Sequence, residues 1–226
     1  MKTLGNTVAQ AQLRPDSDLG YPLKLLAVYL IWWGALAISP WYREDWLLEN
    51  VLVFVAVPLL IWNCRSLRFS DRAYTSLFLF LALHAIGAHY TYAEVPYDEW
   101  ARALGVPAVS EVLGFDRNHY DRLVHFLYGL LVTPAAIELL DRRAPQKGLW
   151  RWVLPVTFMA SHSVIYETIE WGAAAVFGGE LGQAYLGTQG DVWDAQKDSA
   201  LALLGTAIAV VWIRLRERAT PQASAS

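Results

Sequence analysis

The residues with chemistry in this chain are ionisable side chains set at or near the ends of long apolar stretches. Asp121 and His125 lie four apart and share one helix face. A carboxylate one turn from an imidazole orients the ring for proton transfer or metal binding, or both serve as ligands; helix capping by Asp121 or Asn118 is the simpler alternative. Ser163, Glu167 and Glu170 follow i, i+4, i+7 spacing within an apolar run. An unpaired acid at membrane depth costs about 3 kcal/mol or more, so these two glutamates call for a metal, a base or a neutralising proton. Arg122 or Lys197 on a neighbouring helix is the structural alternative. Asp191, Asp194 and Asp198 follow i, i+3, i+7 and put three carboxylates on one stripe. Such a stripe suits Mg²⁺ or Ca²⁺, and with histidine nearby also Zn²⁺, Mn²⁺ or Fe²⁺. An N-cap role for Asp191 and a first-turn role for Asp194 account for two of the three. They leave Asp198, which precedes the apolar residues 200–211, without an explanation.

These groups need a frame that brings their ends together. The chain has 226 residues, 55% hydrophobic and 17% charged, with 11 Trp. Charge usage is well below the roughly 25% of soluble proteins, and many Trp fall at segment ends, where an amphipathic ring suits a membrane–water interface. Crossing the hydrocarbon core takes about 20 apolar residues. Six stretches qualify, near 23–40, 46–62, 73–92, 122–140, 149–176 and 192–213. The expected fold is therefore all-α: a polytopic transmembrane bundle over 23–216, after a segment 1–22 and before a disordered tail 217–226. Most Lys and Arg precede the first span, fill the second and fourth connections, or follow the last span. By the positive-inside rule both termini are cytoplasmic.

With that orientation the acids and His119, Asp121 and His125 fall in one layer at the outer side. His89, beside Tyr90, is the histidine of the third span expected near that layer; His84 lies deeper, and His162 reads as a satisfied core residue. Residues 97–104, between Pro96 and Pro107, suit a short amphipathic helix at the interface. The net charge of -3 gives no nucleic-acid footprint, and the single Cys64 excludes a cysteine-based metal cluster. Residues 1–20 are polar, so no cleavable signal is expected.

Two strings resemble a known family. Arg117-Asn118-His119-Tyr120-Asp121-Arg122-Leu123-Val124-His125-Phe126 and Gly187-Thr188-Gln189-Gly190-Asp191-Val192-Trp193-Asp194-Ala195-Gln196-Lys197-Asp198 are similar to the YjdF-like family of bacterial inner-membrane proteins. That resemblance implies a location, the bacterial inner membrane, rather than an activity. More distantly, Asp121, Arg122, His125, Phe126, Glu167 or Glu170, Asp191 and Asp194 match, in order, a pattern of VanZ-like membrane proteins. That family is linked to glycopeptide-antibiotic tolerance, and Asp198 stands where it tends to have Asn.

The reading these residues support first is a membrane-embedded hydrolase or transferase that depends on a divalent metal ion. Asp191, Asp194, Asp198, His125 and His89 are the expected metal ligands; Glu167, Glu170 and Asp121 are the expected acid–base and orienting groups. Arg122, Lys197, His119 and Tyr120 are expected to meet a substrate drawn from membrane lipids or lipid-linked molecules. Two other readings use the same residues: a proton- or cation-coupled transporter, and a structural or accessory membrane protein.

Overall fold

The structure is a computed structural model, and it describes residues 19–219. Residues 1–18 of the expected N-terminal segment and 220–226 of the expected tail lie outside the described residues, while 20–22 open the first helix and 217–219 continue the last. Among the described residues there is helix and no strand. The order is α1 (Gly20–Leu36), α2 (Arg43–Glu49), α3 (Val51–Asn63), α4 (Asp71–Tyr90), a 3₁₀ turn (Tyr92–Glu94), α5 (Tyr97–Ala103), α6 (Val109–Leu113), α7 (Tyr120–Arg143), α8 (Trp150–Phe177), α9 (Gly179–Leu186) and α10 (Asp194–Ala219). Helices α5, α6 and α9 cap the end where the acids lie.

Four helical stretches are long and apolar enough to cross a membrane: Arg43–Asn63, Asp71–Tyr90, Tyr120–Arg143 and Asp194–Ala219. The first of these joins α2 and α3, which break only at Asn50. There the side-chain Nδ2 turns back to the Trp46 carbonyl at 2.7 Å while Oδ1 accepts from the Trp33 indole at 2.6 Å. Helix α1, with 17 residues, is apolar but shorter, and rises about 26 Å against a core of about 30 Å. Helix α8 has 28 residues, about 42 Å, but its polar stripe keeps it outside the four.

The strongest packing joins α7 to α10, and small residues make it possible. A Cβ on Gly129 would run into the Ala202 carbonyl, and one on Gly205 into the Phe126 carbonyl. Backbone this close is the small-residue packing of membrane helices. Thr133 ties the same seam, donating to the Gly129 carbonyl at 2.5 Å and meeting Thr206 at 3.3 Å. Gly205→Val is therefore expected to cost about 3 kcal/mol or more, because backbone rather than a movable side chain must yield. Steric-trap or denaturant unfolding in detergent measures it. Around this pair, α4 packs on α7 and α1 on α4; Tyr29 of α1 clusters with Val53 and Val57 of α3 against Phe78 and Leu81 of α4, and α8 packs on α10 and α7. Apolar side chains such as Val55, Trp62, Val211 and Leu215 stay exposed on the outside of the bundle.

Candidate functional site

Three helices deliver the acids to one place. Helix α7 starts at Tyr120, so Asp121, Arg122 and His125 occupy its first turns; α10 starts at Asp194, so Asp194 and Asp198 do the same; α8 brings Glu167 and Glu170 from the opposite direction. Asp194, Asp198, His125 and Glu170 are all buried, Asp198 to 2% exposure.

Asp121, His125 and Asp198 each present a ligand atom, and these three atoms lie within 4.8 Å of one another. The His125 Nε2 is 3.5 Å from Asp121 Oδ1 and 3.7 Å from Glu167 Oε1. One ring nitrogen thus faces both carboxylates, and Asp121 lies on the side of the ring that would ligate, not behind it. Asp198 Oδ1 and Glu167 Oε1 are buried without any hydrogen-bond partner. Buried carboxylate oxygens are normally satisfied, so this pair of orphaned acceptors, with an imidazole between, marks where a cation or proton fits.

The other two aspartates of the stripe meet arginine and lysine. Asp194 Oδ1 accepts from Arg117 Nη1 at 2.7 Å and from Arg122 Nη2 at 3.3 Å. Asp191 pairs with Arg122 and takes the Lys197 ammonium at 2.6 Å. Its Oδ1 also accepts from the Trp193 amide at 3.0 Å. The Lys197 hydrogen bond, then the Trp193 amide and the Arg122 guanidinium, hold the Asp191 carboxyl well below the usual carboxylate range. A depressed carboxyl contributes stability that is present above its unfolded pKa, about 3.9, and is lost only as pH falls through the lower folded value. Accordingly, the 187–193 turn is expected to keep its order from neutral pH down past about 4 in the native protein. Asp191→Asn is expected to speed hydrogen exchange of the Trp193 and Asp194 amides across that whole window.

The remaining expected residues fall into place around this centre. Lys197 and Arg122 sit at its rim as described. His119 lies in the cap: its Nδ1 donates to the Arg117 carbonyl at 2.8 Å, and its ring stacks on Phe115. Tyr120 is a core residue whose hydroxyl donates to the Leu83 carbonyl at 2.8 Å. His89 is not part of the three-residue cluster. Its Nδ1 donates to the Leu36 carbonyl at 2.7 Å, next to Trp41 and Tyr90. His84 is the more buried histidine. Its Nε2 donates to the Glu49 carbonyl at 3.2 Å, leaving Nδ1 to accept from the Tyr92 hydroxyl.

Sequence reasoning missed a second bank of acids. Asp45 and Glu49 on α2 are buried to 0% and 4% exposure. Asp45 Oδ2 accepts from Thr91 at 2.8 Å, whereas its Oδ1 has no partner. Glu49 Oε2 accepts from the Tyr166 hydroxyl at 3.3 Å and lies within electrostatic reach of Asp121. Glu170 bridges the two banks, with Asp121, Glu49 and Glu167 as its charged neighbours. The available signal was the i, i+4 spacing of Asp45 and Glu49 at the head of an apolar run, the spacing that also singles out Asp121 and His125. Arg117 was the other omission. It closes the site from the cap, donating to Asp194 and also to the carbonyls of Thr188 at 2.7 Å and Gly187 at 3.3 Å.

Known proteins place the chain. A family described as predicted membrane protein, DUF2238, matches residues 21–219. The chain is 37% identical over 189 residues to the inner membrane protein YjdF of Escherichia coli (strain K12), covering 83% of this chain and 85% of that protein. No solved structure matches. Several helices long enough to span a bilayer, together with this relative, make the protein a multi-pass inner-membrane protein. The chain belongs to the DUF2238 family of YjdF-like membrane proteins.

Proposed function

We propose that the protein is a metal-dependent hydrolase or transferase whose site, in the outer half of a six-span bundle, acts on a lipid or lipid-linked substrate. The observation that carries this reading is the meeting of Asp121, His125 and Asp198 within 4.8 Å, beside the orphaned oxygens of Asp198 and Glu167. Hard carboxylate donors with one imidazole fit a divalent ion. Such an ion would supply Lewis acidity and lower the pKa of a water bound to it towards neutrality. Glu167, whose Oε1 lies 3.7 Å from the imidazole and has no hydrogen-bond partner, is placed to accept the proton of an attacking water. Glu170 stands behind it as the next proton holder. Arg117 and Arg122 pin Asp194 and Asp191, and Lys197 at the rim faces an anionic part of the substrate.

The spans are the four long helices together with α1 and α8. Arg65 and Arg68 before α4, Arg72 in its first turn, Arg142 and Arg143 at the end of α7 and Lys147 after it fall at the end opposite the acids. This supports cytoplasmic termini and a periplasmic site. Salt bridges alone do not balance this layer: the acids of both banks outnumber Arg117, Arg122 and Lys197, the cations that reach them, which leaves charge for a cation or protons to neutralise. The test is elemental analysis of the purified full chain. Near-stoichiometric divalent metal sustains the reading, and metal-free folded protein that takes up none on incubation overturns it.

A further inference from the structure

The two acid banks meet at α8, and one tyrosine stands between them. The Tyr166 hydroxyl donates to Glu49 Oε2 at 3.3 Å and is also within hydrogen-bonding reach of Glu170. Glu170 in turn neighbours Glu167, one turn earlier on α8. Beyond Glu49, Asp45 lies one turn earlier on α2, with its Oδ1 buried and unpartnered. A further acid acting on Asp45 is Glu94, which is exposed and lines a cavity of about 650 Å³ in the cap. Carboxyl and phenol oxygens thus follow one another from Glu167 to the surface of the cap.

No cation balances the second bank. Among the described residues Asp45, Glu49 and Glu170 make no ion pair, and the charged groups acting on them are themselves acids. These are Glu94 on Asp45, Asp45 and Asp121 on Glu49, and Asp121, Glu49 and Glu167 on Glu170. His84, the base that touches this bank, is used up as a neutral ring: Nε2 donates to the Glu49 carbonyl and Nδ1 accepts from the Tyr92 hydroxyl. Tyr185 of α9 adds only a phenol. Neighbouring carboxylates buried without a counter-charge do not all stay ionised. The close meeting of three ligand atoms at Asp121, His125 and Asp198 is not repeated at this bank among the described residues. A proton is therefore the neutralising species that fits.

We propose that Asp45 and Glu49 share one proton and, with Tyr166, carry protons between Glu170 and the cap. A proton on Glu170 passes to the Tyr166 oxygen as the Tyr166 proton moves to Glu49 Oε2. Glu49 hands a proton on to the unpartnered oxygen of Asp45, and Glu94 receives one at the surface. Each gain is matched by a release one step on, so the chain returns to its starting state. Tyr166, Glu49 and Asp45 are positioning residues, since none of them touches the substrate. The relay rests on the proton-holding role proposed above for Glu167 and Glu170, but its test needs neither metal nor substrate.

Infrared spectroscopy of the full chain in lipid tests it, at neutral pH with chelator, on transfer from H₂O to D₂O. The natural chain is expected to show the carbonyl stretch of protonated carboxylic acid, and Asp45→Asn with Glu49→Gln to remove the bank's share of that band. Tyr166→Phe is expected to leave the bank's share exchanging as before. The remaining carboxyl exchange, on the Glu170 side, should slow about 100-fold, the low end of what a positioned proton-transfer group contributes. A natural chain without the band overturns the proposal, as does a band untouched by the double variant. Unchanged exchange throughout Tyr166→Phe overturns it too, and so does slowing of the bank's share, which would mean that the bank reaches water through the acid layer instead. Should the double variant fail to fold, Asp45→Asn and Glu49→Gln decide singly: each is expected to shift the band as the proton moves to the surviving acid, and an unshifted band in both overturns the proposal. Elemental analysis judges the enzyme separately: folded protein that binds no metal but shows the band and the selective slowing keeps the relay and loses the enzyme.

Discussion

On the metal-dependent reading proposed above, Asp198→Asn is expected to abolish metal binding while leaving the helices in place, and to make the metal-free protein more stable rather than less. The side chain is 2% exposed, and one of its oxygens has no partner. Its electrostatic neighbours include Asp121 and Asp194 as well as His125. Asn keeps the shape and removes the charge. In the metal-free state this relieves like-charge repulsion in a low-dielectric layer, where such pairs are costly. In the proposed metal-bound state it would remove an anionic ligand, and affinity is expected to fall by more than about 100-fold, beyond the 10–100-fold typical of outer-shell changes. A bound metal at about 100 times its dissociation constant would stabilise the natural chain by about 2.7 kcal/mol, and that increment should vanish in the variant. Thermal unfolding in detergent, with chelator and with added Mg²⁺, Zn²⁺ or Mn²⁺, reads both effects. A polar layer that merely locks helices predicts the opposite sign: Asp198→Asn would destabilise the protein with chelator present, and metal would change neither form.

The layer itself was legible because charge inside an apolar run is expensive, and that cost does not depend on knowing the fold. Spacing then identified Asp121 with His125 and the Asp191, Asp194, Asp198 stripe. What spacing does not contain is which partner each acid meets. Asp191 and Asp194 lie on the same stripe as Asp198, yet Arg117 and Arg122 reach across from the start of α7 to the first two and leave the third. This division is set by the α7–α10 crossing at Gly129 and Gly205, a tertiary fact. Asp45 and Glu49 were hidden for a different reason. Asp45 lies in the first turn of α2, where the helix dipole already explains an acid, so the i, i+4 spacing that ties Glu49 to it did not stand out. The histidines show the limit of helical arithmetic. His84 and His89 cannot share a face, and the sequence favoured the one nearer the helix end. Burial instead went to His84, because the Glu49 carbonyl and the Tyr92 hydroxyl satisfy both of its ring nitrogens.

Arg117→Met is expected to have the largest effect on folding of any single change at the site, although Arg117 makes no ion pair or hydrogen bond with Asp121 or His125 among the described residues. Its guanidinium holds Asp194 at 2.7 Å and the carbonyls of Thr188 and Gly187 at 2.7 and 3.3 Å, so it fastens the 187–193 turn to the entrance of α7. Asp194 is 5% exposed, and without Arg117 its remaining cation is Arg122 at 3.3 Å, which Asp191 also engages. Removing one partner of a buried ion pair typically costs about 3–5 kcal/mol, because the charge left behind is uncompensated. Shared compensation by Arg122 places the expected loss near the lower end, about 3 kcal/mol. Most of that loss comes from the stranded carboxylate rather than from a favourable bond, so Asp194→Asn in the Arg117→Met background should recover a substantial part of it. A double-mutant cycle on unfolding free energy measures the recovery. If the two substitutions simply add, Arg117 acts through the turn carbonyls alone, and its pairing with Asp194 contributes nothing to holding α7 and α10 in the register that brings Asp121, His125 and Asp198 together.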